Sequence, residues 1–223
     1  MSLREPIKLY AYRGHVVTVK PANEPMAASA LRDHLRETTA GLPDAEANSL
    51  IADARQMIED QLGVAFITQT WRLVLDTWPL GNGPWWEGTR QGALVDMQGI
   101  PRAIELPRWP LQSLSAVRVY DEYGTATTVT IASTFDIDTY QTPGRMALKF
   151  GATWPIALRD FNGIEIDYVV GYGTTGASVP TSLIRALKSV ASYLYTHRGD
   201  DCSVDDAMAS AGSILSQFKV KRV

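Results

Sequence analysis

The stretch YVVGYGTTGASVP, residues 168–180, runs from an apolar segment through three glycines to a proline. Gly171, Gly173 and Gly176 have the GxGxxG spacing of a dinucleotide-binding turn. That spacing grips a pyrophosphate only where a strand feeds straight into a helix whose free amides meet the phosphates, and where a second parallel strand ending in an acid follows. Here the four residues Ala177 to Pro180 separate the last glycine from the next helix, and a second helix follows that one instead of a strand. The glycines are therefore expected to let a bent crossover pass from strand to helix with positive φ angles.

Upstream of that bend the sequence reads as a block of strands. Ile67, Trp71, Leu73 and Leu75 alternate with Thr68, Thr70, Arg72 and Asp76, the period of a half-buried strand. Further strands are predicted at 104–106, 114–121, 125–132, 135–140, 145–150 and 164–170. The separators DEYG and QTPG are turn chemistry and predict antiparallel hairpins. Residues 79–101, with GNGPWWEGTRQG, read as a long surface loop.

Helical signals flank this block. Asn23 and Pro25 open a helix carrying Ala27, Leu31 and Leu35, and Gly41 and Pro43 end it. Asp44 caps a second helix with the stripe Leu50, Ala54, Met57, Ile58 and Leu62, with Arg55 and Glu59 expected as a solvent-facing pair and Gly63 as the stop. Pro180 opens a third helix along Leu183, Leu187, Val190, Ala191 and Leu194. Ser203 and Asp206 resemble a capping box ahead of a last helix lined by Ala207, Ala211, Ile214, Leu215 and Phe218. HVVTVK before Pro21 reads as an extended arm or an edge strand.

Strands in one block between helices give an α+β class: terminal α-helices packed together with an inserted antiparallel β layer, sandwich-like. We divide the chain into an N-terminal arm (1–22), a helical part (23–63 and 178–223) and a β-rich part (64–177), all in one compact chain.

The 223 residues suffice for a sizeable core, and 45% apolar with 20% charged residues is ordinary globular usage. A net charge of -3 argues against a surface that holds duplex DNA through its phosphates. One cysteine, Cys202, excludes an internal disulfide and a multi-cysteine zinc site. No apolar run approaches the roughly 20 residues of a membrane span, and no signal peptide is visible.

Candidate chemistry is sparse. HRGDDCSVDD, residues 197–206, lacks the spaced oxygens and central glycine of a calcium loop, and its acids suit a helix start. Asp136 and Asp138 share one face of a strand, which could seat an acid/base pair, or could be the wet side opposite Phe135 and Ile137. There is no GxSxG elbow, and His15, His34 and His197 have no evident nucleophile partner. We expect no metal and no cofactor. Trp85 and Trp86 on the loop are candidate partner contacts, as are Phe218, Lys219, Lys221 and Arg222 in the basic FKVKRV segment.

Taken together, TQTWRL (68–73), LPRWPLQSLSAVRVYDEYG (106–124), TPGRMALKFGATWP (142–155) and VVGYGTTGASVPTSLIRALKSVASYLYTHRGD (169–200) resemble the head-tail connector, or adaptor, proteins of long-tailed bacteriophages, prophages and gene transfer agents. The resemblance covers roughly residues 24–200. It implies a virion structural protein, not an enzyme. Copies would form a ring, typically a dodecamer, beneath the portal protein, extend the DNA channel without specific DNA binding, and present a surface for a stopper or tail-terminator protein. It also implies assembly in a bacterial host cytoplasm and residence in the particle neck, with no membrane. Family members commonly hold the portal with a C-terminal segment, which suits Phe218 to Arg222. The tryptophan loop departs from the family pattern. The alternative is a hydrolase or small-ligand binder with its site near Asp136, Asp138 and the Trp85/Trp86 loop.

Overall fold

The computed structural model describes residues 13–78, 103–157, 159–198 and 203–219. In chain order the elements are β1 (Arg13–Val19), α1 (Ala28–Leu35), α2 (Asp44–Leu62), β2 (Gln69–Leu75), β3 (Ala103–Glu105), β4 (Leu111–Tyr120), β5 (Ala126–Val129), α3 (Ile131–Thr134), β6 (Phe135–Asp138), β7 (Arg145–Leu148), β8 (Ile164–Val170), α4 (Thr181–Thr196), α5 (Val204–Ala209) and α6 (Gly212–Leu215).

The helical layer is built around α2 and α4. Asp44 and Glu46 place negative charge in the first turn of α2, where free amides favour it, and Gly63 ends the helix in the left-handed region at φ 72°. The fully buried face of α2 is Ala47, Ile51, Ala54, Ile58 and Leu62, one residue per turn against α4. Leu183, Leu187, Val190 and Ala191 answer from α4, and Leu31, Met208 and Leu215 close the cluster from α1, α5 and α6. The Ser203 hydroxyl accepts from the Asp206 amide at 3.1 Å and caps α5, and it donates to Asp206 Oδ2 at 2.7 Å.

The described strands make two sheets, ordered β1-β2-β8-β4-β5 and β3-β7-β6, every named pair antiparallel. Period-2 alternation sends Leu73, Leu75, Val117, Val119, Ile164, Ile166 and Tyr168 to one side, where they meet Ile104, Phe135 and Met146 of the second sheet. The fold is thus α+β, a sandwich inserted between packed helices. HVVTVK supplies the edge strand β1, with Val16 opposite Arg72 and Val17 opposite Trp71. The DEYG and QTPG turns produce the β4–β5 and β6–β7 hairpins.

Five expectations need correction. The last helix is two short ones, α5 and α6, parted at Ser210 and Ala211. The first helix starts at Ala28, with Ala27 as its cap, not at Asn23. Arg55 and Glu59 pair at 2.8 Å but turn inward, because Glu59 is needed beneath the sandwich. Residues 125–132 are not one strand: β5 stops at Val129 and a helical turn follows, since the chain must leave the first sheet to enter the second. Of the three glycines at the bend, Gly171 alone has positive φ, 124°; Gly173 and Gly176 answer a need for space.

Candidate functional site

The glycine bend locks sheet to helices through backbone contact. A Cβ at Gly171 would fall 2.7 Å from the Ile67 carbonyl and the Thr68 nitrogen, and one at Gly176 would overlap the Pro25 carbonyl oxygen. The Gly171 amide donates to Pro110 O at 2.9 Å, and the Tyr172 amide donates to Phe66 O at 3.2 Å. These amides are spent inside the protein, so the bend offers no phosphate cradle there.

A buried polar hub joins the layers beside the bend. Glu59 Oε1 accepts from the Phe66 amide (2.8 Å) and from Gln69 Nε2 (3.0 Å), and Arg55 donates to Oε2 (2.8 Å). Arg55 also donates to Glu24 at 2.7 Å, tying α2 to the chain before α1. Burial pushes the Glu59 carboxyl above its usual range, with Arg55 opposing. Arg108 donates to Glu59 O (2.5 Å) and Asp60 Oδ1 (2.6 Å), and its guanidinium lies 4.3 Å from the Trp71 ring centroid. His15 stacks on Trp71 with centroids 4.3 Å apart, and its Nε2 lies 2.5 Å from the Tyr168 hydroxyl. Burial, then the Arg108 charge, lowers the His15 pKa to about 4, and burial raises that of Tyr168. The hub joins the layers: Arg55, Glu59 and Arg108 each have their partners within the fold.

The outer face of the larger sheet carries a second network. Arg72 Nε donates to Asp167 Oδ1 at 2.6 Å and Arg118 Nη1 donates to Asp167 Oδ2 at 2.7 Å, with Glu165 3.1 Å from Arg72. Burial works against the Asp167 carboxylate, but these hydrogen bonds outweigh it and hold its pKa below the usual range.

The predicted acid pair is taken up locally. Asp138 accepts from Arg145 Nε at 2.9 Å and from the Tyr140 and Gln141 amides, which shape the β6–β7 turn. Asp136 is exposed, with Lys149 at 3.9 Å. No group of three or more metal-ligating side chains occurs among the described residues. No helix of these residues is long and apolar enough to cross a membrane.

Trp85, Trp86, Lys221 and Arg222 lie outside the described residues. Phe218 packs half-buried against the helical cluster, and Lys219 follows it exposed. The sequence reading missed a rim of apolar side chains at the end of the sandwich away from the helices. There β2 and β4 end and β8 begins, with Leu75 and Val119 both opposite Ile164. Tyr123 on the β4–β5 hairpin tip is 85% exposed, and Phe150, Ile156 and Phe161 between β7 and β8 are 97%, 77% and 73% exposed. The loop bearing the last three is fixed to the sandwich: Trp78 stacks on Trp154 at 4.6 Å and donates to Pro155 O, and the Asn162 amide donates to Asp76 at 2.8 Å. Exposed apolar side chains on anchored loops are candidate partner contacts, and Tyr140 at the β6–β7 turn, 98% exposed, is another.

No protein-family model matches the sequence, and neither does any curated protein. Among solved structures, a chain of the neck of an empty gene transfer agent particle computed with C6 symmetry superposes with a TM-score of 0.71, at 22% identity, over 94% of this chain and 97% of that one. A chain of the virion of a native gene transfer agent particle gives 0.70 at 22% identity over 94% and 96%. A chain of a native neck computed with C12 symmetry gives 0.63 at 20% over 92% and 97%. Nearly end to end, the chain has the fold of a component of gene transfer agent particles and their necks.

Proposed function

We propose that this protein is a head-tail connector subunit of a phage-like or gene transfer agent particle. Its copies close into a ring, a dodecamer in the particle, that continues the DNA channel between the portal and a stopper or tail-terminator protein. The observation that carries this reading is the near-complete fold match to chains of such particles and their necks, reported at C6 and C12 symmetry.

The chemistry fits a passive conduit. With a net charge of -3, the chain lets duplex DNA slide past without the counterion release that firm binding requires. The role is structural, without catalysis, metal or cofactor, and the pairing of Asp138 with Arg145 speaks against an acid/base task for Asp136 and Asp138. The apolar rim faces the tail-side partner, and Trp85 and Trp86 belong to the same contact. Phe218, Lys219, Lys221 and Arg222 belong to contacts on the helical side.

Negative-stain imaging of the purified protein, alone and with portal, tests the reading. Annuli are expected. A protein that stays monomeric at every concentration and with portal present contradicts it.

A further inference from the structure

Among the described residues the larger sheet ends in two open edges, β1 on one side of the sandwich and β5 on the other. Free edges are usually blunted by lysine, proline or another charge, because an uncharged open strand recruits a second chain. Neither edge is blunted that way. Gly14 to Val19 contain no proline and no Asp, Glu, Lys or Arg, and β5 lies inside the equally uncharged, proline-free run from Thr125 to Phe135. Both are rich in β-branched residues that stand in solvent: Val16 and Val19 are 55% and 57% exposed, and Thr127 and Thr128 are exposed. The backbone of β5 is also available. The Asp121 amide donates to Thr125 O and the Tyr120 amide to Gly163 O. Alternation along the β4–β5 ladder then turns Thr127 and Val129 towards β4, and points the amides and carbonyls of Ala126 and Thr128 away from the sheet.

We propose that β5 of each copy pairs with β1 of the next, so that the ring closes through one continuous β-sheet; the inference rests on the ring reading above and names one of its subunit contacts. Opposite edges of one sheet are two different patches, which a closed ring of identical subunits requires. A peptide or a foreign strand would fill one edge and leave the other open, whereas a neighbour on each side fills both. The direction of pairing follows from the strand count. β1, β2, β8, β4 and β5 alternate in direction, so β1 and β5 run the same way. Rotation about the ring axis keeps a strand's direction relative to that axis. A sheet that continues round the ring therefore joins β5 to the neighbour's β1 in parallel. The lengths agree, since β1 is regular from Arg13 to Val17 before its irregularity near Thr18, and β5 has four residues. The row Thr128, Arg118, Glu165, Val74 and Gly14 crosses the sheet on one face, so Thr128 and the neighbour's Val16 lie on the same face of the joint.

The test uses the full-length chain in a Cys202→Ser background, assembled on portal and treated with a short bismaleimide. The V16C/T128C chain should be cross-linked head to tail into covalent oligomers up to the full ring. Chains carrying V16C alone or T128C alone should not cross-link, and a mixture of the two should give covalent dimers with one of each. Thr128→Pro removes an amide that points away from β4, so the melting temperature should stay close to that of the parent chain while ring formation falls at least tenfold. Thr128→Ser should assemble like the parent. Rings that form without the mixed cross-link, self-cross-linking of either single variant, or undiminished rings in Thr128→Pro overturn the inference and leave the connector reading standing. Parent chains that never assemble on portal defeat the connector reading, and the sheet closure with it.

Discussion

Gly176 lies directly against Pro25, so close that a side chain there would overlap the Pro25 carbonyl oxygen. That contact presses the glycine bend onto the segment entering α1, and neither backbone can yield alone. Gly176→Ala is expected to cost about 2–4 kcal/mol in urea unfolding, and Gly171→Ala a similar amount because strain at φ 124° adds to its clash. Gly212→Ala, with open space around it at the start of α6, should be neutral or slightly stabilising. A nucleotide-binding role for the motif predicts instead a loss of ligand affinity at unchanged stability.

Glu59 ties α2 to the sandwich through the Phe66 amide and Gln69. Glu59→Ala leaves the Phe66 amide and the Gln69 side-chain amide without their acceptor, while Arg55 keeps Glu24, and is expected to lower stability by about 2–3 kcal/mol. Glu59→Gln keeps an acceptor for the amide and should cost less. Denaturant titration of the three proteins gives the order directly.

Protonation of His15 sets a pH dependence. Its pKa is about 4 folded and 6.5 unfolded, so between these values the unfolded chain binds more protons. The His15 contribution is therefore complete above about pH 7 and is lost as pH falls towards 4. Discounted for its partial exposure, the loss is about 1–2 kcal/mol. His15→Gln should flatten the slope of melting temperature against pH across this window; an unchanged slope contradicts the assignment.

The apolar rim gives a separation of functions. Phe150→Ser, Ile156→Ser and Phe161→Ser remove exposed side chains and should each change stability by less than about 0.5 kcal/mol. In particles they should leave the portal-side ring in place and reduce attachment of the tail-side protein, scored as tailless heads by electron microscopy.

Much of the fold was legible because turn residues and periodicity act locally: DEYG and QTPG announced both hairpins, and Gly63 announced the end of α2. The α2 stripe was legible only in part. Leu50 and Met57 belong to the same apolar period as Ala54 and Ile58, yet only the latter pair is fully buried and the former stay half-buried. Periodicity gives the width of an apolar face but not how much of it a neighbour covers. Glu59 failed for a related reason: an i,i+4 pair with Arg55 looks identical whether it faces water or the base of a sandwich. The rim of Tyr123, Phe150, Ile156 and Phe161 has no local period, since topology alone gathers these loops at one end.

Closure of identical subunits into one ring is measured most directly by native mass spectrometry of the protein assembled on portal. The expected result is a single discrete oligomer with a fixed copy number, the dodecamer of the proposed function. A single copy per portal subunit without contact between copies, or a continuous ladder of open oligomers, contradicts it.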